Sequence, residues 1–266
     1  MSTGEKLENL KRILSESESA VVALSGGTDS TFLAYMASRA SGLRLLAAII
    51  SSPYMFDNEI KDALGFCIEN NINYKVIEMS IPATVKNNPP ERCYLCKKEI
   101  MGLIHKVAEN TGSKYVFDGT NADDAGDYRP GMKALSEMGI RSPLLETGLT
   151  KDEIRALSKE IGLKTWDKPS NACLMTRFPH NVAITDAELR KVEAAEAALE
   201  NISIRGARVR VHNDIARIEC RMEDIARLTS ENARKKVVDE LKRIGYRYIT
   251  LDLEGYRTGN MNVKIE

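Results

Sequence analysis

Ala20-Val21-Val22-Ala23-Leu24-Ser25-Gly26-Gly27-Thr28-Asp29-Ser30-Thr31 is the stretch that decides the fold. An apolar run of strand length ends in Ser-Gly-Gly-Thr-Asp-Ser, and a helical pattern begins at once. Glycines let the chain turn sharply and expose backbone N–H groups, and a helix N-terminus adds positive potential. The segment therefore reads as a phosphate cradle. It carries neither Gly-x-x-x-x-Gly-Lys nor Gly-x-Gly-x-x-Gly, so it is a different nucleotide loop from those two. The plain alternative is a strand, a turn and a helix cap without chemistry. The placing of Ser25, the glycine pair, Asp29 and Ser30 argues for the cradle.

Outward from this loop, strand-like runs fall at 20–24, 45–50, 74–79 and 114–118. Helical patterns lie between them at about 30–40, 56–70 and 95–111, and Leu7, Leu10, Ile13 and Leu14 share one face of a helix over 5–16. Strands alternating with helices predict an α/β fold, a parallel sheet with helices on both faces. Ligands of such sheets sit beyond the carboxyl ends of the strands. The loops expected there are Ser25–Ser30, Ser51–Tyr54 and Asp118–Asn121. Thr150-Lys151-Asp152-Glu153 reads as a capping box opening a helix to about Ile161. After a hinge between Trp166 and His180 the pattern becomes a helix at 185–200, strands near 207–212 and 215–220, a helix at 222–244 and a strand at 246–253. That order predicts a small α+β domain with an antiparallel sheet. The expected division is a nucleotide domain over 1–175 and a substrate-binding or oligomerisation domain over 176–266.

Composition narrows the function classes. The chain has 266 residues, with Lys+Arg and Asp+Glu at 38 each. A protein gripping a long nucleic acid usually carries a basic surplus, so this balance disfavours tRNA or DNA as a partner. No apolar stretch is long enough to span a membrane, and the polar start MSTGEKLENL does not read as a secretory signal. Five cysteines, an odd number, do not form a disulfide framework. The expectation is a cytoplasmic protein in a reducing compartment.

Cys93-Tyr94-Leu95-Cys96-Lys97 suits a metal, an iron–sulfur cluster or a redox pair. Cys173, in Lys168-Pro169-Ser170-Asn171-Ala172-Cys173-Leu174, lies in another loop that can reach the same sheet edge. Three thiolates are one short of a closed zinc site, and His105 on a helix reads as a packed or surface residue. A 4Fe–4S cluster with one open iron, a catalytic thiol with a redox pair, and zinc all remain open at this point. Cys67 and Cys220 sit on apolar patterns and read as small core residues. Lys97 either bears on the reacting groups or is a surface lysine.

Asp118-Gly119-Thr120-Asn121-Ala122-Asp123-Asp124-Ala125-Gly126-Asp127-Tyr128-Arg129 sets carboxylates beside the nucleotide loop, which suits Mg²⁺, while Arg129 can pair with a phosphate. The alternative is a solvated acidic loop. Arg208, Arg210 and His212 alternate along one strand face and can clamp a substrate phosphate, or simply face solvent.

The order SGGxDS after a first strand resembles the pyrophosphate loop (PP-loop) of ATP pyrophosphatases. Taken together, SGGTDS, RCYLCKKEI, DGTNADDAGDYRPGMKA, RSPL, KPSNACL-x-TR and ARVRVHNDIARIE resemble the LarE family over nearly the whole chain. LarE proteins are ATP-dependent sulfur transferases of nickel-pincer nucleotide synthesis. The resemblance implies adenylation of a carboxylate of pyridinium-3,5-biscarboxylic acid mononucleotide, followed by replacement of AMP by sulfur. Some members sacrifice one cysteine, at the position of Cys173. This chain instead looks like the members whose three cysteines, here Cys93, Cys96 and Cys173, bind a 4Fe–4S cluster. By the same resemblance Ser25, Gly26, Gly27, Asp29 and Ser30 bind the ATP phosphates, with Ser51, Gly119 and Thr120 near the rest of the nucleotide. Asp29 and Asp124 are the candidate Mg²⁺ carboxylates, and Arg208 and Arg210 the substrate-phosphate residues. A sulfide or sulfur donor and a homo-oligomer are also implied. The other readings are a PP-loop tRNA thiolase with a three-cysteine cluster, a sacrificial Cys173 without cluster, and a non-catalytic nucleotide-sensing module.

Overall fold

The computed structural model describes residues 1–126, 130–169 and 171–257. The chain divides into two compact units, Met1–Val85 with Glu91–Ser170 and Lys86–Pro90 with Asn171–Glu266. The division falls a few residues before 175, and the first unit's chain lends residues 86–90 to the second.

The first unit opens with α1 (Thr3–Ser15), β1 (Ser19–Ala23), α2 (Thr28–Arg39), β2 (Arg44–Ser51), α3 (Asp57–Glu69), β3 (Tyr74–Glu78), α4 (Arg92–Thr111) and β4 (Tyr115–Phe117). A 3₁₀ turn (Ala122–Gly126), α5 (Pro130–Glu137), α6 (Pro143–Glu146) and α7 (Lys151–Glu160) complete it. The strands form one parallel sheet in the order β3-β2-β1-β4. Arg141 adds a single parallel bridge beside Phe117 at the β4 edge.

Alternation along the strands explains the layers. Ala20, Val22, Ala47, Ile49 and Phe117 pack with Leu10, Phe32, Leu33, Ala63, Cys67 and Ile154, so α1, α2, α3 and α7 cover one face. Val21, Ala48, Ile50 and Val116 pack with Met101, Ile104, Val107 and Leu135, so α4 and α5 cover the other. The expected parallel sheet with two covered faces is therefore present. Thr150 caps α7 with the reciprocal Glu153 box that the sequence predicts. Cys67 is fully buried in this core, and burial pushes its thiol up to about 11.

The second unit contains a 3₁₀ turn (Leu174–Arg177), α8 (Asp186–Glu200), β5 (Arg208–His212), β6 (Ile215–Glu219), α9 (Met222–Thr229), α10 (Glu231–Ile244) and β7 (Tyr248–Leu251). Two expectations need correction. The sheet is mixed rather than antiparallel: β5 and β6 run antiparallel, but β6 and β7 run parallel. Helices intervene between β6 and β7, which is the connection a parallel pair requires. The single helix expected at 222–244 is two, because Ser230 is extended (φ −56°, ψ 146°) and its hydroxyl donates to the Arg227 carbonyl at 2.7 Å. Cys220 is fully buried, and desolvation raises its thiol pKa.

Candidate active site

The loop after β1 is built by its small residues. Gly26 has φ +76°, and a Cβ there would sit 2.4 Å from the Glu59 carbonyl oxygen. Only glycine meets both demands. Ser25 and Ser30 lock the turn: their hydroxyls lie 2.9 Å apart, and the Ser30 hydroxyl accepts the Ser25 N–H at 3.2 Å. Gly27 is the N-cap of α2 and offers no side chain, so the first turn keeps N–H groups available for an anion.

Two lysines converge on this loop from α7 and the segment after it. Lys151, at the first position of α7, places its ammonium 2.6 Å from Asp29 Oδ2. Asp29 Oδ1 is shut off from solvent and finds no hydrogen-bond partner among the described residues. A hard cation or a bound donor would satisfy it, which fits Mg²⁺. Lys168 donates to the Gly26 carbonyl at 3.0 Å and pairs with Asp62 at 2.8 Å. The Thr28 hydroxyl donates to the Thr165 carbonyl at 2.7 Å, so the 165–168 segment buttresses the loop.

The ends of β2 and β4 flank the loop. Ser51 ends β2, and the next residue, Ser52, is buried with its hydroxyl unpartnered among the described residues. Gly119 follows β4 so closely that a Cβ would lie 2.8 Å from the Ser30 nitrogen. Asp118 is buried. Its Oδ1 accepts from the Ser142 hydroxyl at 2.6 Å, and its Oδ2 from the Thr120 hydroxyl at 2.7 Å. Lys97 brings its ammonium to 3.9 Å from Asp118 Oδ2, at the β4 edge. Asp124 Oδ2 accepts the Asn121 N–H at 3.0 Å and closes its own turn, while Asp123 accepts the Lys151 N–H at 2.7 Å. The acidic loop is thus partly used in local hydrogen bonding. Arg129, with Asp127 and Tyr128, lies outside the described residues.

Cys93 and Cys96 occupy the first turns of α4, three positions apart and so on one face. Cys93 is exposed and Cys96 half-buried. Tyr54, buried in the loop after β2, brings its hydroxyl to 3.3 Å from Cys96 Sγ. An all-thiol pair on one helix turn fits a thiophilic group such as cluster iron. Cys173 belongs to the second unit. Among the described residues no three His, Cys, Asp or Glu side chains converge as a metal site. The His105 ring meets the Met138 carbonyl at 2.9 Å and serves packing.

In the second unit Cys173 caps the 3₁₀ turn, and its carbonyl accepts the Thr176 N–H at 3.0 Å. Fully buried Arg177 pairs bidentately with Glu196 at 2.8 and 2.9 Å and donates to the Ala172 carbonyl at 2.9 Å, which pins the Cys173 segment. The expected arginine row is buried, with Arg208 4% and Arg210 5% exposed, so it is not a solvated strand face. Arg210 is engaged by Glu219 at 2.9 Å and by the Thr176 carbonyl at 2.9 Å. Glu219 also accepts from Arg217 at 2.9 Å. Arg208 lies over the Tyr256 ring at 5.3 Å, and burial, then the Arg177 charge, holds its pKa below the ordinary arginine value. Burial, then Arg217, likewise lowers His212. The sequence reading missed Lys151, Lys168, Tyr54, Arg177, Glu196 and Glu219. Lys151 stood inside the capping box, Tyr54 in an expected ligand loop, and Lys168, Arg177 and Glu219 inside the quoted motifs, none with a role of its own; Glu196 carried no signal.

A four-stranded parallel sheet with a Ser-Gly-Gly-Thr-Asp-Ser turn at the carboxyl end of its first strand defines a PP-loop α/β enzyme. The NAD synthase family model matches residues 6–100. The pyridinium-3,5-bisthiocarboxylic acid mononucleotide synthase of Lactiplantibacillus plantarum is 37% identical over 260 residues, covering 97% of this chain and 94% of that protein. An uncharacterized protein of Synechocystis is 38% identical over 97% of both chains. One subunit of the glutamine-hydrolyzing GMP synthase of Thermoplasma acidophilum is 30% identical over 62% of this chain and 59% of its own. The chain belongs to the LarE family, that of the Lactiplantibacillus synthase. Among the described residues no helix is long and apolar enough to cross a membrane.

Proposed function

We propose that this enzyme uses ATP to adenylate a carboxylate of a pyridinium-3,5-biscarboxylic acid mononucleotide-like substrate, and then replaces AMP by sulfur. In the first step a carboxylate oxygen attacks the α-phosphorus, and pyrophosphate leaves. In the second, hydrosulfide attacks the acyl carbon, AMP leaves with the former carboxylate oxygen, and a proton is released. The observation that carries the reading is the loop itself, with Asp29 held against Lys151 beside free helix N–H groups.

Ser25, Gly26, Gly27 and Ser30 bind the phosphates, and the α2 N-terminus stabilises the charge developing on pyrophosphate. Lys151 positions the leaving group and offsets its charge, and Asp29 would hold the Mg²⁺ that does the same. Ser51, Gly119 and Thr120 face the remainder of the nucleotide. Lys97, tethered to Asp118, bears on the acyl-adenylate. The arginine cluster of the second unit takes the substrate phosphate.

Cys93, Cys96 and Cys173 would hold a 4Fe–4S cluster, which when bound supplies an open iron where exogenous sulfide can bind. Support comes from the thiol donor set and the helix position of the pair.

Asp29→Ala should slow substrate-dependent ATP–pyrophosphate exchange by about tenfold or more, the equivalent of roughly 1.4 kcal/mol of lost leaving-group stabilisation. Exchange at the wild-type rate would show that the loop is not where ATP reacts.

A further inference from the structure

We propose that Tyr54 is a positioning residue for Cys96, its hydroxyl donating a hydrogen bond to the sulfur and tuning the group that this sulfur holds. The proposal deepens the cluster reading given above and rests on it. Tyr54 is 1% exposed, and its hydroxyl lies 3.3 Å from Cys96 Sγ. A phenol is usually hydrogen-bonded when buried, because an unpaired buried donor is costly. Between a phenol and a thiol either group can donate. Once Cys96 is a metal-bound thiolate it has no proton, and the contact can only run from the phenol to sulfur.

The placement is specific. Tyr54 follows β2, two residues beyond buried Ser52, whereas Cys96 sits in the first turns of α4. The contact therefore ties the thiol pair to a second strand end of the nucleotide sheet. Cys93, the exposed partner in the pair, lies one helical turn away. One half-buried sulfur with a fixed donor and one exposed sulfur make an unequal pair of ligands. Hydrogen bonds to cluster sulfurs draw electron density from the iron and are among the main protein controls on cluster potential.

Tyr54→Phe keeps the ring and its packing and removes only the hydroxyl. The full chain, wild type and variant, would be reconstituted anaerobically with ferrous iron and sulfide, and then titrated with reductant under electron paramagnetic resonance. Equal iron content is expected, with the variant's midpoint shifted to more negative potential and its sulfur-to-iron absorption moved to longer wavelength. A variant with wild-type iron, midpoint and absorption would overturn the role of Tyr54 while leaving the cluster reading intact. A wild-type protein that takes up no iron would overturn both. A loss of packing alone would lower iron content or thermal stability without moving the midpoint of the clusters that do form, and that result would also overturn the tuning role.

Discussion

Gly26→Ala should abolish adenylation more completely than the loss of any single polar side chain of the loop. The backbone there is left-handed, and the new methyl group would meet the Glu59 carbonyl at 2.4 Å, far inside contact distance. The strained conformation costs about 1–3 kcal/mol for a residue with a Cβ. The clash cannot be relieved by turning a side chain, because the obstacle is backbone of α3. Either the loop or the start of α3 must move, and a displacement of about 1 Å in a positioning element costs about 10²-fold in rate. Exchange of labelled pyrophosphate into ATP would measure it, with circular dichroism confirming that the fold persists. Retention of more than about half the wild-type exchange, a loss of under roughly 0.5 kcal/mol, would mean that the loop does not set the phosphate geometry.

Glu219→Ala should be the most destabilising single change in the second unit. Glu219 is fully buried and accepts from both Arg210 and Arg217. Its removal leaves Arg210, itself 5% exposed, as an uncompensated buried charge. Breaking a buried pair in this way costs about 3–5 kcal/mol. For a unit of this size that is a drop in Tm of roughly 12–25 °C, readable by thermal unfolding. Glu219→Gln should fall between, since the amide still accepts one hydrogen bond but carries no charge. A shift below about 2 °C for the alanine variant would mean that solvent or another carboxylate already shares the load.

The first unit was legible because its sheet obeys local rules. Val21 and Val22 point to opposite faces, and each finds a helix there, so the run of apolar residues at 20–24 could only be a doubly covered strand. Thr150 and Glu153 announced α7 by hydrogen-bonding chemistry that acts over three residues. The second unit was harder to read. The parallel pairing of β6 with β7 depends on where two intervening helices deliver the chain, which no period of the strand records. The split at Ser230 is a competition between a hydroxyl and the helix backbone, hidden inside a good helical pattern.

The site shows the same contrast. Ser25, Gly26, Gly27, Asp29 and Ser30 lie close together in sequence, and their chemistry could be read directly. Lys151 and Asp29 meet across the fold, as do Tyr54 and Cys96, and only the tertiary structure brings them together. The arginines of β5 were visible as a row, but their burial was not. Glu219 and Glu196, which make that burial tolerable, lie on β6 and α8 and looked like ordinary charged residues of those elements.

The proposed function stands or falls on whether sulfur replaces oxygen on an adenylated carboxylate without consuming the protein. Mass spectrometry of one anaerobic reaction decides this, with the iron-reconstituted enzyme, ATP, Mg²⁺, sulfide and pyridinium-3,5-biscarboxylic acid mononucleotide. The expected yield is AMP, pyrophosphate, a product in which one carboxylate oxygen has become sulfur, and a polypeptide whose Cys173 mass is unchanged after many turnovers. A polypeptide lighter by one H₂S at Cys173, with product capped at one per chain, would rule out the recycling enzyme described here; ADP in place of AMP, or no thiocarboxylate at all, would rule out the adenylating chemistry itself.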